Sequence, residues 1–82
     1  MKFAHTKVLT IDSNAYPGWP QKIEVNGNMV EVEQVVDRWV SAYKDPSFYP
    51  NEYFKVRISD GKVYILMYNT LFNSWWIKEF EL

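Results

Sequence analysis

The 82-residue sequence contains no cysteine and a single histidine. Without cysteine there are no disulfides and no thiolate metal ligands, which excludes a disulfide-stapled secreted mini-protein and agrees with a reducing compartment. One histidine excludes a metal site built from several histidines, and no base or orienting group accompanies it as nucleophilic catalysis would require. We therefore expect no metal, no cofactor and no catalytic residue, and we interpret His5 as a surface or edge-strand residue.

Glycine and long apolar stretches are also scarce. The three glycines are isolated, so the chain has no glycine-rich phosphate loop. No stretch approaches the roughly 20 apolar residues that a membrane span needs, and the opening MKFAHTKVLTID lacks the apolar core of a signal peptide. A formal net charge of -1 gives no generic attraction to nucleic acid or acidic lipid. These features predict a cytoplasmic, non-enzymatic protein with no membrane partner.

Aromatic residues are abundant, at 18% of the sequence. Each large ring buries on the order of 150 to 250 Å², so a few rings build a rich core in a short chain. The absence of linkers, repeats and low-complexity runs predicts one domain over residues 1–82. A cluster of carboxylates in the middle, Glu24, Glu31, Glu33 and Asp37, partly alternates with valines, which indicates a solvated strand face and not a catalytic pair.

Two dipeptides mark hairpins. Asn26-Gly27 lies between QKIEV and NMVEVE, and a two-residue loop there places Ile23 opposite Val30. Asp60-Gly61 lies between YFKVRIS and KVYILMY. The terminal SWWIKEFEL is typical of a further strand, with Trp75 on one face and Trp76 on the other.

The segment VEQVVDRWVSAY, residues 32–43, is ambiguous. Its apolar residues form a helical stripe, yet its four valines favour a strand. We favour a strand that bends at a bulge after Val32, with a helix at about 32–43 as the alternative. The chain is thus predicted to be mainly β, with five to six short antiparallel strands in a strongly bent sheet or small SH3-like barrel, to which the alternative adds that one helix.

The hairpin YFKVRISDGKVYILMY has apolar residues on both faces. A two-residue loop at Asp60-Gly61 pairs Ile58 with Val63, and extending that register assigns Val56, Ile65, Phe54 and Met67 to the core face. The other face then collects rings and cations, joined by two residues of the last strand. These predicted binding residues are Tyr53, Lys55, Arg57, Tyr64, Tyr68, Trp76 and Lys78. The alternative is that a helix over residues 32–43, or the segment KDPSFYPNE, covers this face as part of the structure.

Four segments, VLTID, WPQKIEVNGNMVEVEQVVDRWV, NEYFKVRISDGKVYILMYN and SWWIKEFEL, together resemble a family of small uncharacterised bacterial domains of the DUF6504 type. The matching positions are Pro20, Ile23, Gly27, Val32, Val35, Val36, Trp39, Glu52, Tyr53, Phe54, Val56, Gly61, Tyr64 and Trp75. The resemblance implies no catalytic residues, and some such domains look like companions of genes for DNA-damage polymerases. Members of the family are arginine-rich around the first hairpin, where this chain has Lys22, Glu24 and Glu31.

Three functions follow as expectations. We expect first a non-enzymatic module whose outer aromatic and basic face binds a protein partner, since interfaces favour Tyr, Trp and Arg. The second is a single-strand nucleic-acid-binding accessory that stacks bases on the same rings. The third is a homodimer in which the face is buried against its own copy.

Overall fold

The computed structural model describes residues 3–11, 18–41 and 51–80. These residues form seven antiparallel strands and, within those ranges, no helix. The strands are β1 (Ala4–Thr6), β2 (Val8–Ile11), β3 (Trp19–Val25), β4 (Asn28–Ser41), β5 (Asn51–Ile58), β6 (Val63–Asn69) and β7 (Ser74–Glu79). The all-β class is confirmed, but five to six strands were expected where the structure has seven, and the division of the first β segment into β1 and β2 accounts for one of the additional strands.

The strand order is β1-β7-β6-β5-β4-β3-β2, so the two strands that are consecutive at the start of the chain lie at opposite ends of the sheet. The sheet therefore curls strongly, as a half-barrel. Its two ends approach at Lys7, whose carbonyl oxygen accepts a 3.0 Å hydrogen bond from the backbone N–H of Glu24. In the described ranges there is no helix of the length and apolar character that crossing a membrane requires.

The β3–β4 hairpin confirms the prediction from its turn residues. Asn26 and Gly27 have φ angles of 51° and 83°, as a two-residue hairpin loop requires. Ile23 lies opposite Val30, as expected, and Ile23 is fully buried. The turn dipeptide therefore determines this register correctly.

The segment after Val32 is a strand, so the preferred interpretation is confirmed and the helix is wrong for residues 32–41. Residues 42 and 43 lie outside the described residues. The β4–β5 ladder shifts register between Val32 and Gln34 and again between Val35 and Asp37. Each bulge inserts one residue, so the positions facing the core recur every three residues, at Val32, Val35 and Arg38. This spacing imitates the stripe of an amphipathic helix.

The β5–β6 hairpin differs from the predicted register by one residue. Its loop contains three residues, Ser59 to Gly61: the Ile58 carbonyl accepts from the Gly61 N–H, and the Ile58 N–H donates to the Lys62 carbonyl, both at 3.0 Å. Gly61 has a φ of 89°, typical of a turn followed by a glycine bulge. Val56 thus faces Tyr64, not Ile65.

Because side chains alternate along a strand, this slip exchanges the two faces of β6. The core contains Tyr64, Leu66 and Tyr68, whereas Val63, Ile65 and Met67 share the opposite face with Arg57, Lys55 and Tyr53. The assignment of β5 is confirmed, with Phe54, Val56 and Ile58 buried. Among the described residues, the buried cluster contains Ile23, Phe54, Val56, Ile58, Tyr64, Leu66, Tyr68 and Trp75.

The glycine bulge makes a testable prediction about this turn. Gly61→Ala is expected to lower the free energy of unfolding by about 1 kcal/mol, because a Cβ is strained at positive φ. Space is not the reason, since a Cβ at Gly61 would meet nothing within 4 Å. Gly61→Asn, which tolerates this conformation, should retain most of the stability in urea unfolding. Equal losses in the two variants would contradict the bulge.

Candidate binding face

The face of the sheet opposite the core, called here the outer face, carries a row of large side chains across five strands. Trp39 pairs with Tyr53, Tyr53 with Met67, Met67 with Trp76, and Trp76 with His5. Four strand spacings of about 4.8 Å give this aromatic row a length of about 19 Å. Rings from both ends of the chain thus share one surface.

The rings of the aromatic row are held in two pairs. Trp39 stacks on Tyr53, with centroids 5.3 Å apart and planes 6° from parallel. His5 contacts Trp76 edge-on, at 5.4 Å and 81°. Trp39 remains 40% exposed, His5 is exposed, and Tyr53 and Trp76 are half-buried. The row therefore presents ordered rings to solvent.

A second row beside the aromatic row carries cations. Lys55 and Lys78 flank Ile65 in register. The Lys55 ammonium lies 3.9 Å from the centroid of the Phe80 ring, and that of Lys78 lies 4.9 Å from Phe3. Such contacts attract the cation to the negative face of the ring. The ammonium group of each lysine therefore packs against an aromatic ring.

Ile65 is one of the apolar residues that the β5–β6 hairpin carries outside its core face. It lies on the outer face, yet it is only 5% exposed. Lysine stems cover neighbouring apolar surface while their ammonium groups stay in water. The centre of the outer face is therefore covered by the protein's own side chains, and its aromatic row stays accessible.

Arg57 is also engaged. Its Nη2 donates a 2.6 Å hydrogen bond to Gln34 Oε1 and lies 3.3 Å from Glu33 Oε1. Both charged side chains are substantially exposed, so this ion pair contributes only about 0 to 1 kcal/mol. Its main effect is on the surface charge, which it neutralises locally.

Five of the seven predicted site residues share the outer face: Tyr53, Lys55, Arg57, Trp76 and Lys78. The placement of the other two was wrong. Tyr64 and Tyr68 are core residues, 7% and 4% exposed, because the three-residue loop turns them to the opposite side. β4 is a strand that supplies Trp39 at the edge of the outer face, so no helix over residues 32–41 covers this face. Most of the segment KDPSFYPNE, the other segment expected to cover it, falls within residues 42–50 and lies outside the described residues.

Sequence reasoning missed Trp39, Met67 and the ring of Phe3 as parts of this face. Trp39 follows two bulges that no local pattern announces, and Phe3 comes from the segment preceding β1. His5 was correctly interpreted as an exposed edge-strand residue. Within the described part of the chain, no group of three or more His, Asp or Glu side chains is placed to hold a metal ion.

A polar feature of a different kind lies on the core face. Arg38 Nη2 donates to Glu52 Oε1 at 2.5 Å, and its guanidinium lies 5.7 Å from the ring centroids of both Trp19 and Phe54. Glu52 is 9% exposed, and its second oxygen, Oε2, is buried with no hydrogen-bond partner. Arg38 is thus the one ion-pair partner of this carboxylate among the described residues.

Comparison of the chain with protein-family models, with curated proteins and with solved structures finds no match. The resemblance to the DUF6504 family therefore stays a prediction.

Proposed function

We propose that this chain is a non-enzymatic binding module that docks a partner protein on its outer face. The observation that carries the proposal is the aromatic row, with Trp39 stacked on Tyr53 and still 40% exposed. Trp, Tyr and Met are enriched at protein interfaces, where rigid rings supply contact area at low cost in conformational entropy. Rings that are already stacked in the free protein lose less conformational entropy when a partner binds.

The charges support a protein partner over nucleic acid. Lys55 and Lys78 lie on rings, and Arg57 is paired with Glu33. Phosphate binding depends on cations that neutralise the backbone and release its counterions. An outer face whose cations are already engaged is better matched to a mixed apolar and polar protein surface.

Three broader proposals accompany this function. The curled sheet, whose ends meet at Lys7, supports a small barrel of the SH3-like kind with additional strands. The lack of cysteine supports a cytoplasmic location. Membership of the DUF6504 family rests on the sequence resemblance described above.

Trp39→Ala and Trp76→Ala are each expected to weaken partner binding at least tenfold, because truncating a tryptophan that anchors an interface typically costs more than about 1.4 kcal/mol. Phe72→Ala is the matched control, since Phe72 is 67% exposed but lies in the β6–β7 turn outside the aromatic row. Proteins captured by wild type and by Phe72→Ala, but not by the tryptophan variants, are purified and their affinities measured by calorimetry.

Two results would contradict the proposal. Tight binding of oligothymidine at about 50 mM salt, falling steeply as salt rises, would assign the face to single-stranded nucleic acid. A concentration-dependent dimer by sedimentation that Trp39→Ala dissociates would assign it to a second copy of the chain.

A further inference from the structure

The two ends of the sheet separate on one side of Lys7 and leave a seam. After the hydrogen bond from Glu24 N–H to the Lys7 carbonyl, the Thr6 hydroxyl donates to the Glu24 carbonyl oxygen at 2.9 Å. The Thr6 hydroxyl thus occupies the Glu24 carbonyl oxygen, which would otherwise accept from a main-chain N–H and continue the β1–β3 pairing. From this point β1 diverges from β3 and pairs with β7.

One edge of β1 is therefore open. β1 is a terminal strand of the sheet, and in the described part of the chain its second edge has no strand partner. Opposite it, Glu24 and Val25 pair with β4 through Met29 and Asn28. An open strand edge presents N–H and C=O groups that a further strand can pair with.

A cavity of about 450 Å³ lies in the seam, between β1, the β3–β4 turn and β7. Val25, Ile77 and Tyr64 give it an apolar floor continuous with the core. Burial raises the pKa of the Tyr64 hydroxyl; Lys62 opposes this, and Glu79 and Asp60 reinforce it. The phenol thus stays protonated in the physiological range.

The charges around the cavity are mixed. Lys62, Glu24 and Glu79 line it, whereas His5 and Lys78 border it but direct their side chains to the outer face. With both signs present at the rim and an apolar floor beneath, the cavity favours an uncharged apolar side chain over an ion.

We propose that the seam takes an extended peptide segment of the partner protein, which pairs through its backbone with the open edge of β1 and places one apolar side chain in the cavity. This mode of recognition adds a strand to a sheet. The inference rests on the proposed function in taking the partner to be a protein. A strand added beside β1 also extends the aromatic row beyond His5, so one partner can engage both the seam and the outer face.

The test uses phage-displayed random heptapeptides selected on the whole protein, with the enriched peptides synthesised for calorimetry. Ala4→Trp fills the seam from an exposed position that lines the cavity, and it should weaken binding at least tenfold. Leu71→Trp is the matched control, since Leu71 is 53% exposed and lies outside the seam. Its affinity should equal that of wild type.

N-methylated peptides test the backbone pairing without any change to the protein. Only alternate amides of an added strand face β1. Methylating that alternate set should therefore weaken binding at least tenfold, and methylating the other set should leave it within about twofold. Equal loss from both sets, or no enrichment on wild type over Ala4→Trp, would overturn the seam as a peptide site.

Two further outcomes separate the seam from the outer face. Peptides that lose affinity for Trp39→Ala but bind Ala4→Trp normally occupy the outer face, so the proposed function stands and the seam inference fails. Peptides that lose affinity for Ala4→Trp alone support the seam, and the outer face is then judged by the Trp39→Ala and Trp76→Ala affinities of the whole partner. A wild-type dimer that Ala4→Trp dissociates would assign the seam to a second copy and overturn the inference.

Discussion

Tyr68→Ala is expected to lower the free energy of unfolding by about 3 to 4 kcal/mol, the loss typical of a large ring removed from a core. Tyr68 is 4% exposed, its ring packs 4.9 Å from that of Trp75, and its hydroxyl donates to Asn73 Oδ1 at 2.6 Å. For a chain of this length such a loss lowers the melting temperature by well over 10 °C. Urea and thermal unfolding measure it directly.

Tyr53→Ala is the matched control, because sequence reasoning assigned both tyrosines to the same face. Tyr53 is half-buried and stacks on Trp39, so its removal should cost only about 1 kcal/mol and should instead weaken partner binding. Tyr68→Phe isolates the hydroxyl, at about 1 kcal/mol. Equal destabilisation by Tyr53→Ala and Tyr68→Ala would show that the β5–β6 register is wrong.

The difference between these tyrosines shows where prediction from sequence stops. Asp60-Gly61 correctly identified a hairpin, and the β5 face was correct. The dipeptide is compatible both with a two-residue loop and with a three-residue loop ending in a glycine bulge. The two loops differ by one residue of register, and that one residue decides which side of β6 is buried.

The same limit applies to β4. Its apolar spacing fits a helix as well as a strand with two bulges, and the two cannot be separated by periodicity alone. The valines favoured the strand through their restricted χ1. Local pattern could not place Trp39, since each bulge re-aims every side chain after it.

Contacts between distant segments were the least predictable part. The pairing of His5 with Trp76 and the Phe3–Lys78 contact join the two ends of the chain. No turn links these segments, so no loop length or dipeptide specifies their register. The candidate face was thus identified by its composition on β5 and β7, while its extension onto β1 required the structure.

The second large effect is expected at the ion pair on the core face. Arg38→Met should lower the free energy of unfolding by about 2 to 3 kcal/mol, because it leaves the buried Glu52 carboxylate unpaired. The value is below the 3 to 5 kcal/mol typical of a fully buried pair, because the Arg38 side chain is 35% exposed. Urea unfolding at neutral pH provides the measurement.

Arg57→Met is the matched control, since it removes an arginine from the same sheet whose ion pair with Glu33 is exposed on both sides. Its cost should stay below about 1 kcal/mol. If the two arginine variants lose equal stability, Glu52 is hydrated in the folded state and the pair is not a structural requirement.

The double variant Arg38→Met, Glu52→Leu separates the worth of the pair from the penalty of breaking it. Replacing a buried ion pair by apolar residues is often neutral or stabilising, because the desolvation of two charges offsets their attraction. Glu52 Oε2 has no hydrogen-bond partner, so this pair does not satisfy all of its buried polar atoms. We therefore expect the double variant to recover most of the stability lost in Arg38→Met. Such a recovery would show that the loss comes from the unpaired Glu52 carboxylate and not from the missing contact between Arg38 and the rings of Trp19 and Phe54.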